Sequence, residues 1–405
     1  MGDLFLPQAL QYAPLFRYYA GLMRFKAPFL LISLVLLLVP SMAPGAVEMR
    51  PVPAAPIIGA KSYFVVDGNT GYELSSLQPD KRLAPASLTK LMTAFTIFTA
   101  LAEKQIALDD QVTVSEKAWR TPGSRTFIEL GTRVTVQDLL LGMIVQSGND
   151  ASVALAEHVA GTESVFAEVM NQYAAKLGMH SSHFENVTGL PGEQHYSTAR
   201  DLATLARAII NEFPEYYKWY SVKEFEYNNI SQSNRNALLW RDPTVDGMKT
   251  GHTDDAGYCL IASAKRDGMR IISVVLGTAS AKARIDGSQA LINYGFRFFE
   301  TKLLYKAGEP VTNARIWKAA NEFTPLGLPE DLYITVPRGS YDAVESVLNI
   351  PAILVGPIAE GQPLAELKVS LNGTDLVSEP LRALNDNPNG TFWQRTRDGV
   401  KLWFE

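Results

Sequence analysis

Three short signatures in a fixed order constrain this chain more than any other feature: Ser87-Leu88-Thr89-Lys90, then Ser147-Gly148-Asn149, then Lys249-Thr250-Gly251. A Ser-x-x-Lys arises by chance about once per few hundred residues at ordinary residue usage, so the first says little alone. The ordered set says much more. It asks for a fold that brings a helix start, a mid-chain loop and a distant strand edge to one cleft.

Leu88, Leu91, Met92, Phe95 and Phe98 recur at three- and four-residue steps, which predicts a buried amphipathic helix with Ser87 at its start, after Pro85-Ala86. Ser87 and Lys90 are separated by almost one turn and share a face. A serine hydroxyl is a weak nucleophile at neutral pH and needs a base. A lysine serves only when neutral, and burial or a neighbouring cation lowers its pKa; Lys249 is the expected neighbour. The pair alone would read as a helix cap and a solvated lysine. Ser147-Gly148-Asn149 falls between helical patterns over residues 134–145 and 151–159, in a predicted loop. There Ser147 can relay a proton between Lys90, Lys249 and a leaving amine, and Asn149 can bind a substrate amide. In isolation the loop would be an ordinary polar turn. Lys249 and Thr250 offer a cation and a hydroxyl suited to a carboxylate, and Gly251 lets a substrate backbone approach. An extended peptide is expected beside the strand from Gly257, with the N–H of His252 joining that of Ser87 as an oxyanion hole.

Tyr63-Phe64-Val65-Val66, the turn Asp67-Gly68-Asn69-Thr70-Gly71 and a return from Tyr72 read as a hairpin. Residues 257–264 and 269–277 read as strands joined through Arg266-Asp267-Gly268, followed by a helix over residues 290–299. Helices inserted between early and late strands predict an α+β domain over residues 61–305. From Lys306 the pattern becomes short β-rich runs such as Leu332-Tyr333-Ile334-Thr335-Val336 and Leu367-Lys368-Val369-Ser370-Leu371, predicting a small all-β domain over residues 306–388.

The ends read as targeting devices. Arg24 and Lys26 precede an apolar run over residues 29–39 and small residues through Ala46, the order of a secretory signal over residues 1–46. The run is short for a bilayer span. A start at Met23 would give a conventional n-region, with residues 1–22 preceding the true start. Residues 47–60, rich in Pro and Ala, read as a linker. Within residues 389–405, Phe392, Trp393, Thr396, Val400, Trp403 and Phe404 fall on one helical face. Gln394, Arg395, Arg397, Asp398 and Lys401 fall on the other, as in a short interfacial helix that Gly399 weakens.

The net charge of -5 over 405 residues offers no basic face for nucleic acid. The single cysteine, Cys259, excludes an intramolecular disulfide and a multi-cysteine metal site, and its apolar neighbours make it a small buried hydrophobe. The histidines lack zinc-enzyme spacing; His158, His180, His183 and His195 receive no role.

These motifs, with Tyr196-Ser197-Thr198-Ala199-Arg200-Asp201, Asn234-Arg235-Asn236-Ala237-Leu238-Leu239-Trp240, Val245-Asp246-Gly247-Met248-Lys249 and Gly295-Phe296-Arg297-Phe298-Phe299-Glu300-Thr301, give a resemblance over nearly the whole chain. The chain resembles the low-molecular-mass penicillin-binding proteins that act as serine-type D-alanyl-D-alanine carboxypeptidases. That resemblance implies a transpeptidase/β-lactamase-like catalytic domain, a β-rich domain and a C-terminal membrane anchor, with no cofactor or metal. It implies an exported protein on the periplasmic face of the inner membrane, acting on peptidoglycan stem pentapeptides and inhibited covalently by β-lactams. Ser87 is then the acylated nucleophile, Lys90 the proton acceptor, Ser147 the relay and Lys249 a carboxylate ligand, with Arg235 and Arg284 as supporting arginines. A peptidoglycan endopeptidase, a serine β-lactamase and a non-catalytic wall-binding protein remain alternatives. For the β-lactamase, Glu185 and Glu193 are the nearby carboxylates.

Overall fold

Alternation along the first strand sorts its side chains into two cores. In the computed structural model, which describes residues 51–404, β1 (Ser62–Asp67) sends Tyr63 and Val65 to one core and Phe64 and Val66 to the other. β1 sits inside a five-stranded antiparallel sheet with β2 (Glu73–Leu77), β3 (Val245–Thr253), β4 (Gly257–Arg266) and β5 (Met269–Thr278), in the order β2-β1-β5-β4-β3. The turn after β1 is tied by Asp67, whose carboxylate accepts the N–H groups of Asn69 (3.0 Å) and Thr70 (2.8 Å). The β4–β5 hairpin turns at Asp267 and Gly268, both with positive φ (48° and 85°), as a two-residue turn of that composition requires.

On the Phe64 side lie α1 (Lys90–Ala102), α2 (Val136–Leu141), α3 (Asn149–Ala160), α4 (Glu163–Lys176) and α5 (Ala199–Glu212). In α1 only Thr99 and Ala102 escape burial, so this helix is wrapped on all sides and not along one stripe. The predicted helix over residues 134–145 is two pieces: α2 gives way to a wider π-type turn, Gly142–Gln146. There a Cβ on Gly142 would strike the Thr126 side chain, and the segment ends at Ser147 in left-handed conformation (φ 68°). On the Tyr63 side lies α6 (Ala281–Phe298), capped by Ser280, which accepts the N–H of Ala283. α6 starts well before the helix read at residues 290–299. Its first half buries small residues, Gly287, which faces Ile58 of the linker, and Ser288, which leave no apolar period to read.

The described part of the linker, residues 51–60, has no regular secondary structure but is not free. Val52, Ala55 and Ile58 pack against the core under α6, and Tyr294 donates to the Pro53 carbonyl (2.9 Å). The expected signal over residues 1–46 and the start at Met23 lie outside the described residues.

After α6 come β6 (Phe299–Tyr305), β7 (Thr312–Arg315), β8 (Phe323–Gly327), β9 (Leu332–Pro337), β10 (Val344–Asn349), β11 (Pro363–Leu371) and β12 (Thr374–Ala383). Five form an antiparallel sheet in the order β7-β8-β12-β11-β10 over a third core, while β6 pairs with β9. That pairing ties the segment directly after α6 to the β-rich part, ahead of the change in pattern at Lys306. Thr301 on β6 donates to Asp67 (2.7 Å) and shares a 3.0 Å hydrogen bond with Thr335 on β9.

α7 (Phe392–Lys401) opens with a capping box between Thr391 and Gln394. It docks through polar groups: Asp398 accepts the Lys318 N–H (2.9 Å), and the Gln394 amide donates to the Ala320 carbonyl (3.3 Å). Phe392, Trp393 and Val400 remain exposed, as do Trp403 and Phe404 just beyond the helix end. Among the described residues no helix is long and apolar enough to cross a membrane.

Asp67 carries one test of this account. It is fully buried, and Asp67→Ala leaves two backbone N–H groups and two threonine hydroxyls without their acceptor. Denaturant unfolding should show a loss of about 2–4 kcal/mol.

Candidate active site

Ser87 lies in a single 3-10 turn, Ala86–Thr89, that leads into α1, so the Ser-x-x-Lys motif straddles the junction and does not sit inside one regular helix. Lys90, the first residue of α1, is 1% exposed. Its Nζ is 2.6 Å from Asn149 Oδ1, 2.6 Å from the Thr188 carbonyl and 3.2 Å from Ser87 Oγ. A charged ammonium would donate to all three. A neutral amine donates two N–H bonds to the two carbonyls and turns its lone pair to the Ser87 hydroxyl. Burial pulls the Lys90 pKa down to about 7, helped by the positive charge of Arg235 and opposed by Asp150.

The sequence made Lys249 the neighbour that discharges Lys90; the stronger neighbouring charge on Lys90 is Arg235. Lys249 is itself buried, donates to the Thr250 carbonyl (3.1 Å), and is held well below the usual lysine range by burial, then by Lys90, Arg235 and Arg284. It underlies the cavity wall, while Thr250 lines it.

The cavity, about 440 Å³, is lined by Ser87, Ser147, Arg235, Thr250, Gly251 and His252, together with Gly123, Ser124, Tyr258 and Arg284. Ser147 stands at its wall with a buried Oγ that has no hydrogen-bond partner, on a left-handed backbone unusual for a non-glycine residue. Asn149 does not line the cavity. Both ends of its amide are engaged, Oδ1 by Lys90 and Nδ2 by the Pro122 carbonyl (2.6 Å), so in this structure it holds Lys90. Arg235 makes no hydrogen bond or ion pair among the described residues and projects into the cavity. Arg284, from α6, donates to the Gly251 carbonyl (3.0 Å) and the Cys259 carbonyl (3.4 Å) and lies over the Tyr258 ring, whose centroid is also 4.0 Å from that of the tilted His252 ring. Cys259 is buried, and burial pushes its thiol up to about 11.

Two expectations about the strand motif need correction. Lys249-Thr250-Gly251 lies within β3, the edge strand, whereas the strand from Gly257 is interior and paired on both sides. An extended peptide can therefore add only to β3 on this side of the sheet. The glycine serves the protein's own packing: a Cβ on Gly251 would lie 3.0 Å from the Pro85 carbonyl and 3.3 Å from the Ser87 nitrogen.

Sequence reasoning missed several members. Asp150, next to the Ser147 motif, is buried and accepts the N–H groups of Thr126 (2.8 Å), Phe127 (2.9 Å), Ile128 (3.4 Å) and Ala151 (2.9 Å), fixing the loop that carries Gly123 and Ser124. Pro122-Gly123-Ser124 has the composition of a turn, and nothing in the sequence marks such a turn as a cavity wall. Neither Glu185 nor Glu193 lines the cavity.

A family model described as D-alanyl-D-alanine carboxypeptidase matches residues 49–280, and one described as the C-terminal domain of penicillin-binding protein 5 matches residues 299–389. The D-alanyl-D-alanine carboxypeptidase DacA of Escherichia coli is 39% identical over 362 residues, 87% of this chain and 90% of that protein. The crystal structure of penicillin-binding protein 5 from Haemophilus influenzae is similar with a TM-score of 0.78 and 41% identity, covering 83% of this chain and 100% of that one. Penicillin-binding protein D2 from Listeria monocytogenes, in its ampicillin-bound form, is similar with a TM-score of 0.56 and 31% identity, covering 60% of this chain and 100% of that one. The sheet, its flanking helices and the β-rich part have the penicillin-binding-protein fold. The chain belongs to the D-alanyl-D-alanine carboxypeptidase family.

The packing role of Gly251 is open to test. Gly251→Ala should push β3 off the Ser87 turn and cost about 1–3 kcal/mol in a denaturant titration, with penicillin acylation slowed in the folded fraction.

Proposed function

We propose that this chain is a serine D-alanyl-D-alanine carboxypeptidase that removes the terminal D-alanine from peptidoglycan stem pentapeptides through an acyl-enzyme on Ser87. The observation that carries the reading is the Lys90 amine, buried, bound to two neutral carbonyls and facing the Ser87 hydroxyl. Ser87 Oγ attacks the penultimate D-Ala carbonyl as Lys90 takes its proton, and the N–H groups of Ser87 and His252 stabilise the oxyanion. The proton passes through Ser147 to the departing amine, and D-alanine leaves. Water then adds to the acyl carbon, giving up a proton to the Lys90 amine; the acyl–Oγ bond breaks, Lys90 returns that proton to Ser87 Oγ, and the shortened peptide is released. Arg235, Thr250 and Arg284 receive the terminal carboxylate, with Lys249 buried beneath them behind Thr250. Penicillin carries a carboxylate beside a strained amide and enters the same steps.

A β-lactamase adds a carboxylate base for the second half-reaction. The cavity lining contains none, which favours a long-lived penicilloyl adduct. An endopeptidase would need to accept an amide where the carboxypeptidase binds an acid, and two arginines at the cavity favour the acid.

We also infer export and attachment to the periplasmic face of a bacterial inner membrane. The secretory pattern of residues 1–46 supports the first. α7 supports the second: it docks by Asp398 and Gln394, so Phe392, Trp393, Val400, Trp403 and Phe404 are left for a lipid interface.

Mass spectrometry after penicillin treatment should find the adduct on Ser87 and none in Ser87→Ala. D-Ala release from diacyl-Lys-D-Ala-D-Ala should fall sharply when the terminal carboxyl is amidated, whereas equal cleavage of acid and amide would sink the carboxypeptidase reading. Acylation needs neutral Lys90, so its rate should climb about tenfold per pH unit up to about 7 and then level. In flotation with anionic vesicles, the full chain should rise with lipid and a form lacking residues 391–405 should not. Equal partition would exclude the anchor.

A further inference from the structure

His195, given no role by the sequence, lies behind the Ser87–Lys90 turn at 5% exposure. Its two ring nitrogens have unequal partners. Nδ1 is 3.1 Å from the backbone nitrogen of Glu185, which can only donate, so Nδ1 is the acceptor. The ring proton therefore sits on Nε2, 2.7 Å from Thr89 Oγ1, and is donated there. A second proton would set an N–H against the Glu185 N–H. Burial pulls the His195 pKa down to about 4, and the facing charges act the same way: His183 on its own loop and Lys90 on α1.

The loop that holds His195 is clamped on the start of α1. His183 and Tyr196 close it by a backbone bridge. Inside it, Asn186 Oδ1 accepts the N–H groups of Thr188 (3.1 Å) and Gly189 (2.8 Å), a tight turn that presents the Thr188 carbonyl to Lys90. Thr93 donates to the Val187 carbonyl (2.8 Å), and Gly189 abuts the Ala86 carbonyl so closely that a Cβ there could not fit. Thr89, Lys90 and Thr93 thus each bond this loop, and Thr89 is the residue inside the Ser-x-x-Lys motif itself.

We propose that His195, as the neutral Nε2–H tautomer, is a positioning residue for acylation: by donating to Thr89 it locks the Ser87–Lys90 turn against the loop whose Thr188 carbonyl orients the Lys90 amine. The proposal rests on the reading of Ser87 as nucleophile and Lys90 as base. Loss of the bond frees the turn to rotate away from the loop. The amine then loses its aim at Ser87, while the carboxylate-binding arginines are untouched. The defect falls on the acylation rate constant and not on initial binding.

The test uses the full chain and penicillin. In the wild type, nitrogen NMR of labelled histidine should find Nδ1 unprotonated and no titration of His195 between about pH 5 and 8. An Nδ1–H tautomer or an ordinary titration near the usual histidine value would overturn the assignment. His195→Phe, which keeps a ring but no hydrogen bond, should slow the acylation step about tenfold, the worth of one net hydrogen bond, with the pre-covalent dissociation constant unchanged. His195→Gln, whose amide N–H can reach Thr89, should recover to within about threefold. Thr89→Val should copy the Phe variant, and the double variant should be no slower than either single one. A His195→Phe protein that melts early but acylates at the wild-type rate would reduce His195 to a structural residue, as would Phe and Gln variants that are equally slow. Should His195→Phe fail to fold, Thr89→Val and the wild-type spectrum decide. An adduct at a residue other than Ser87 would instead defeat the mechanism and leave the tautomer result standing.

Discussion

The structure depends on a lysine taken out of water. Burying the Lys90 ammonium would cost several kcal/mol if it stayed charged and unpaired, and a carboxylate partner is the usual remedy. A carboxylate would also fix the proton and rule out the base role proposed for it. The chain supplies neutral acceptors in place of one, the Asn149 amide and the Thr188 carbonyl, which satisfy N–H groups without binding a charge. Asp150 is close enough to raise the Lys90 pKa, but its oxygens are occupied by the four backbone N–H groups it accepts. Its charge is spent on shaping a loop. The balance leaves Lys90 near neutrality, where its proton can come and go.

Holding that amine against one hydroxyl requires pieces far apart in the chain to meet without slack. Two glycines do this from opposite sides of the Ala86–Ser87 turn. Gly189 meets the Ala86 carbonyl from the loop, and Gly251 meets Pro85 and the Ser87 nitrogen from the edge strand. Arg284 then fastens β3 to β4 by bonding carbonyls on both, at a point where the two strands pair Gly251 with Cys259. Because β3 is the sheet's outer strand, the same packing that presses it onto the serine turn leaves its other edge open to an extended peptide. Site and substrate track are one consequence of one strand's position.

Much of this was legible in the residues. The two halves of the sheet followed from the β-branched and aromatic runs around Tyr63 and the Asp-Gly turn at Asp267. The three motifs named Ser87, Lys90, Ser147 and Lys249, which the fold brings together around one cavity. Other features carried no pattern. The break at Gly142 depends on a contact with Thr126 that no local period encodes, and the first half of α6 buries small residues that look like a loop. Asn149 and Gly251 were read toward the substrate, whereas the structure engages them with Lys90 and the Ser87 turn, because a short motif gives residue types and not the direction in which they face. His195 was invisible because its meaning lies in two contacts, the Glu185 backbone N–H and the Thr89 hydroxyl, that no local pattern joins to it.

The lining of the cavity also bears on how the two half-reactions are linked. It offers arginines, hydroxyls and backbone but no carboxylate, so on the proposed mechanism no separate group is available to activate water. Lys90 must act twice. It takes the serine proton during attack and is neutral again once that proton has left on D-alanine, which is the state needed to deprotonate the incoming water. With a peptide the leaving amine departs and vacates the space that water needs. With penicillin the leaving amine stays tethered to the acyl group, keeps that space and holds the proton path through Ser147. On the proposed mechanism, one site with one base would be a hydrolase toward its peptide and a trap toward the drug, with no added feature needed to tell them apart.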